Sequence, residues 1–135
     1  MSGFDPIPRL PHGAPFLLLD RVLEIAERRG VFVKLVSAAD PCVGRDGCLP
    51  AAFVLEALAQ GGGALLAALG PSAPSGGYLA AVDDFRMLGE VHAGDELRVE
   101  VEIVRAFSGA TIVQGRALVE GALRAEGRVT LKAPR

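Results

Sequence analysis

Between Pro50 and Leu69 every side chain is apolar or absent except those of Glu56 and Gln60. Proline suits a helix start, because the amide it lacks would be unpaired there, and Gly70-Pro71 is a stop signal at the other end. The run has nearly the length of a membrane span. A carboxylate, an amide and the consecutive Gly61, Gly62 and Gly63 all oppose that use. The sequence therefore predicts a buried helix of a soluble domain, and a helix apolar on all sides requires the rest of the chain to surround it.

The remaining segments supply that coat. LRVEVEI (97–103), TIVQGRALVE (111–120) and ALRAEGRVTLK (122–132) alternate apolar with polar residues, the mark of half-buried antiparallel strands. Ser108-Gly109 and Glu120-Gly121 separate them as turns do. Upstream, LLLDRVLEI (17–25) and VFVKLV (31–36) form a hairpin around ERRG, and GGYLAAVDDFRML (76–88) reads as a further, more buried strand. The sum is about six strands and one long helix inserted after the first hairpin. This predicts an α+β, hot-dog-like architecture over residues 1–135 as a single domain, a curved antiparallel sheet wrapped around a central helix. Such a sheet leaves an edge, which predicts a dimer with a second copy or with a related chain.

Composition narrows the function. The chain has 135 residues, half of them hydrophobic, and a net charge of −2. Lys34 and Lys132 are its only lysines, the arginines are scattered, and no basic block offers a footprint for nucleic acid. Cys42, Cys48, His12 and His92 complete the inventory of soft ligands, so free thiols in a reducing cytosol are expected, with neither a metal nor a cofactor. The opening MSGFDPIPRLPHG lacks the pattern of an export signal, and a cytoplasmic location is expected.

Three segments resemble a known family. LPHGAPFLLLDRVLEI (10–25) is similar to the Pro-His-Arg-x-Pro-Phe-Leu-Leu-x-Asp-Arg-Val opening of the 3-hydroxyacyl-acyl-carrier-protein dehydratases of fatty-acid synthesis, the FabZ-like hot-dog enzymes. LPAAFVLEALAQGGG (49–63) resembles their helix, with Phe-Pro-Gly, apolar residues and then Glu-Ala-x-Ala-Gln. HAGDEL (92–97) resembles their Pro-Gly-Asp-x-Leu turn. The resemblance implies a pantetheine-bound acyl thioester as substrate, carried by acyl carrier protein or coenzyme A.

Dehydration of a 3-hydroxyacyl thioester needs a base beside the carbonyl, an acid for the departing hydroxyl and donors for the enolate-like oxygen. Glu56 suits the acid, since desolvation in an apolar helix favours its neutral form. Gln60 stands one turn later on the same face and can position Glu56 or a water. The helix start at Ala51 and Ala52 offers free amides and the positive dipole end to a thioester oxygen. Phe53, Phe16 and Phe85 are candidates for an acyl-chain wall, and core packing explains each equally well. Glycines cost roughly 0.5–1 kcal/mol each in a helix, so Gly61 and its neighbours imply close approach of a slender ligand or of a packed strand. A structural carboxylate tied to backbone or arginine is the competing account of Glu56.

The family's base is a histidine in a Gly-His-Phe-Pro-Gly loop before the helix, and here DPCVGRDGCLPAAF (40–53) contains no histidine. Three readings follow. The chain is a dehydratase whose base is His12 or a partner's histidine; it is the non-catalytic half of a heterodimeric dehydratase; or it is a hot-dog thioesterase in which Glu56 acts on water or on the carbonyl. His92, beside Gly94-Asp95, is read as a solvated turn residue. An acidic carrier protein would dock on basic residues, for which Arg86, Arg9, Arg21 and Arg45 are available.

Overall fold

A computed structural model describes residues 18–69 and 78–132. Strands β1 (Arg21–Ile25) and β2 (Arg29–Leu35) precede helix α1 (Ala51–Ala68), which is followed by β3 (Tyr78–Met87), β4 (Glu96–Phe107), β5 (Ala110–Val119) and β6 (Ala122–Lys132). The six strands form one antiparallel sheet in the order β1-β2-β4-β5-β6-β3. This is the expected α+β plan, with an 18-residue helix against the inner face.

Alternation and turn chemistry produce these strands. The β4–β5 and β5–β6 hairpins turn on Ser108-Gly109 (φ 38° and 79°) and Glu120-Gly121 (φ 50° and 80°). Positive φ at both central residues is the type I′ geometry whose twist matches the flanking strands. Along β4, Leu97, Val99, Val101 and Ile103 are buried while Arg98 and Glu102 face water. On the outer face Glu100 meets Arg98 at 2.8 Å and Arg116 at 3.3 Å.

The helix glycines mark where α1 touches the sheet. A Cβ on Gly61 would lie 3.1 Å from methyls of Val99 and Val101, and one on Gly62 3.0 Å from Leu131. The glycines thus let backbone approach side chains closely, the packing alternative raised from sequence. The helix is long and apolar enough to cross a membrane, yet more than half of it is buried within the domain, as a core helix is.

The expectation for β3 needs correction. It is not more buried than its neighbours: it forms the sheet edge, with Leu79 and Val82 exposed. Its neighbour β6 covers one side, and among the described residues no strand covers the other. Its register breaks between Asp83 and Arg86, where Asp84 takes φ 55°. The break turns Phe85 onto Gly127, where an added Cβ would lie 2.8 Å from the Phe85 Cα. Because the opposing atom is backbone, Gly127→Ala is expected to destabilise by about 1–3 kcal/mol, read as a lower denaturant midpoint at unchanged slope.

Candidate active site

Glu56 and Gln60 lie on one stripe of α1, as their spacing predicts. Gln60 is 1% exposed, and its Oε1 accepts the Leu18 backbone N–H at 2.8 Å. That bond aims the amide nitrogen at the carboxylate: Gln60 Nε2 donates to Glu56 Oε1 at 3.3 Å. Glu56 itself is half-buried, at the border between core and surface. A carboxyl group there is oriented by a neighbour whose other end is committed to the main chain.

The helix start is open. Among the described residues no side chain caps it, and no acidic residue occupies its first turn. Ala51 and Ala52 are exposed, and the first amides of a helix have no partner within it. Ala51 borders a cavity of about 380 Å³ whose other walls include Leu49, Met87 and Val91. Phe53 and Phe85 are half-buried and packed against the core, so packing accounts for both. Gly61 faces Val99, Val101 and Phe32 beneath the sheet, which accounts for it without a ligand. His12 and Phe16 lie outside the described residues.

Cys48 stands directly before the helix. The segment 40–53, where the resemblance implies the family's base, holds two thiols, Cys42 and Cys48, and no histidine. Partial burial, then the carboxylates of Asp46 and Glu90, push the Cys48 thiol above its ordinary value. A thiol protonated at neutral pH does not replace a basic imidazole. Burial and the Asp40 carboxylate likewise push Cys42 up.

His92 is exposed beside the Gly94-Asp95 turn, as expected of a solvated residue. It pairs with Cys48 in an antiparallel bridge, its Nε2 lies 2.9 Å from Glu90 Oε2, and its ring is half exposed. Sequence reasoning assigns Glu90 and His92 no role; their alternate spacing is the available signal, but the bridge to Cys48 is a tertiary contact. Of the proposed docking arginines, Arg86 pairs with Glu126 at 3.2 Å and Arg21 lies 3.8 Å from Glu96, while Arg45 is exposed. Arg9 lies outside the described residues.

The loop from Ser37 to Cys48 that delivers the chain to the helix is clamped from below. Lys34, 5% exposed, donates to Asp40 Oδ2 at 2.7 Å, and Asp40 Oδ1 accepts the Cys42 N–H at 3.0 Å. Burial alone would raise the Asp40 carboxyl, but the bonds from Lys34 and the Cys42 amide outweigh it and hold the group below its ordinary value.

Known proteins resemble this chain along most of its length. A 3-hydroxyacyl-[acyl-carrier-protein] dehydratase FabZ of Thermus thermophilus is 41% identical over 129 residues, 90% of this chain and 89% of that protein. The corresponding FabZ of Geobacillus thermodenitrificans is 38% identical over 122 residues, 87% of this chain and 84% of that one. Among solved structures, the dehydratase heterocomplex ApeI:P from Xenorhabdus doucetiae superposes with a TM-score of 0.85 at 22% identity, covering 93% of this chain and 88% of that one. A hypothetical thioesterase with coenzyme A from Streptococcus pneumoniae superposes at 0.72 with 13% identity, covering 84% of each chain. These two structures establish the hot-dog fold. A family profile described as ApeP dehydratase matches residues 5–135, and the chain belongs to the ApeP-like dehydratase family.

Proposed function

We propose that this chain works in the dehydration of a 3-hydroxyacyl thioester held on the pantetheine arm of an acyl carrier protein. Removal of the C2 proton sends its electron pair toward the thioester carbonyl. Collapse of that enolate-like species forms the C2–C3 double bond and expels the 3-hydroxyl, which Glu56 protonates so that it leaves as water. The amides around Ala51 and Ala52, which no described side chain caps, are suited to the developing negative charge on the carbonyl oxygen. The observation that carries this reading is the Glu56–Gln60 pair, a carboxyl group aimed by a buried amide on the helix that resembles the dehydratase helix.

The base is supplied by a second hot-dog chain. Segment 40–53 has no histidine, which favours a heterodimeric arrangement of the kind named for the Xenorhabdus heterocomplex. The exposed edge strand β3, with Leu79 and Val82 uncovered, suits pairing with such a chain. A coenzyme A thioester presents the same arm and is the alternative carrier. The soluble cytoplasm, where acyl thioesters are elongated, is the location this chemistry implies.

The test is a mass measurement on the carrier arm after incubation with a 3-hydroxyacyl carrier-protein thioester. Three samples are compared: the chain alone, the chain with a partner bearing the Gly-His-Phe-Pro-Gly loop, and the partner alone. Loss of one water, fastest with both chains together, is expected. Release of free thiol instead would assign the site to thioester hydrolysis, and no gain over the partner alone would leave this chain a purely structural subunit.

A further inference from the structure

We infer that Cys48, Glu90 and His92 form a binding site for a divalent transition-metal cation of the zinc class. Backbone pairing brings the three residues together. Leu49 N–H bonds to Val91 O at 2.8 Å and Ala93 N–H to Gly47 O at 2.7 Å, so Cys48 and His92 face each other between those two bonds. That is the non-hydrogen-bonded antiparallel pair, in which facing side chains come closest. Glu90 precedes His92 by two positions, the interval that returns an extended chain's side chain to the same face. Three residues from two segments are thereby directed at one point.

Their donor atoms meet there. His92 Nε2 lies 2.9 Å and Cys48 Sγ 3.8 Å from the same Glu90 Oε2, and all three donors fall within 4.8 Å of one another. Ligands at about 2.0–2.3 Å from a tetrahedral zinc sit roughly 3.3–3.8 Å apart, so small side-chain rotations suffice. A thiolate, an imidazole and a carboxylate suit a borderline-soft cation better than calcium or magnesium.

The surroundings support the ligands. Asp46 Oδ1 accepts the Cys48 N–H at 3.0 Å and Asp95 Oδ2 the His92 N–H at 2.7 Å, which fixes the backbone under both ligands. Asp95 also lies 3.9 Å from the far ring nitrogen of His92, the place of an outer-shell partner. Three protein donors leave a fourth position open, as catalytic zinc sites do. Cys48 and Glu90 also line the cavity at the start of α1, which gives such a position access to solvent or ligand.

Zinc titrated into the dialysed full chain against a chromophoric chelator is expected to show one equivalent bound. Cys48→Ser and His92→Ala should each weaken it at least ~100-fold, and Asp95→Asn by about 10–100-fold. Cobalt in place of zinc should give a thiolate charge-transfer band that Cys48→Ser abolishes. Absence of a stoichiometric equivalent, unchanged affinity in Cys48→Ser with folding verified by circular dichroism, or a cobalt spectrum lacking the thiolate band overturns the proposal. Metal binding is read without turnover, so it stands or falls apart from the dehydratase assignment.

Discussion

Glu56→Gln lowers dehydration in the assembled enzyme by about 10²–10⁴-fold, the range for losing a positioned acid. The substitution keeps shape and still offers an oxygen to Gln60 Nε2, so the contact at 3.3 Å survives, and circular dichroism checks that the fold does too. What is lost is the proton for the departing hydroxyl. The deficit therefore falls on kcat with little change in KM, the pattern of an interaction made in the transition state. Gln60→Ala behaves differently. It leaves the Leu18 N–H without its acceptor at 2.8 Å in a buried site, costing roughly 1–3 kcal/mol of stability, and it also removes the Gln60 donor from the Glu56 carboxylate. Steady-state kinetics paired with denaturant midpoints separates the two. A purely structural Glu56 would give the reverse result, full turnover in Glu56→Gln with a shifted midpoint.

The largest effect on stability comes from Lys34→Ala. The ammonium and the Asp40 carboxylate are 5% and 14% exposed, and removing one partner strands the other. Breaking a buried pair in this way costs about 3–5 kcal/mol, a fall in Tm on the order of 10 °C or more for a domain of this size. The double variant Lys34→Met with Asp40→Leu recovers part of that loss, because no charge is then left buried although the Cys42 N–H loses its acceptor. The pair also sets an acid limit. Asp40 is held below its ordinary value when folded, so its contribution is fully present above the unfolded carboxylate value of about 3.9 and is lost as pH falls through the lower folded value. Wild type accordingly loses stability on acidification more steeply than the double variant, which melting curves across about pH 2–6 would show. Equal slopes would remove Asp40 as the cause.

Much of this architecture is legible in residue order. Period-two alternation defines β4, β5 and β6, and Ser108-Gly109 and Glu120-Gly121 mark the hairpins because positive φ there needs residues that tolerate it. The helix is legible from its flanking prolines and unbroken apolar run, and the pairing of Glu56 with Gln60 from helical spacing. The burial of β3 is not, since its apolar residues sit on a sheet edge that no other described strand covers on its outer side. Lys34 carries no sign of being interior, because its partner Asp40 lies in an irregular loop. The cluster of Cys48, Glu90 and His92 is hidden for the same reason: pairing between a loop and a distant extended segment leaves no period in the sequence.

The most direct measurement is a crystal structure of this chain, combined with the second hot-dog chain proposed above, bearing an uncleavable amide analogue of the 3-hydroxyacyl pantetheine thioester. The account predicts the ligand's 3-hydroxyl within about 2.6–3.2 Å of the Glu56 carboxylate, with the carbonyl oxygen turned toward the amides of Ala51 and Ala52. A ligand seated away from α1, with Glu56 enclosed by protein donors alone, would contradict it.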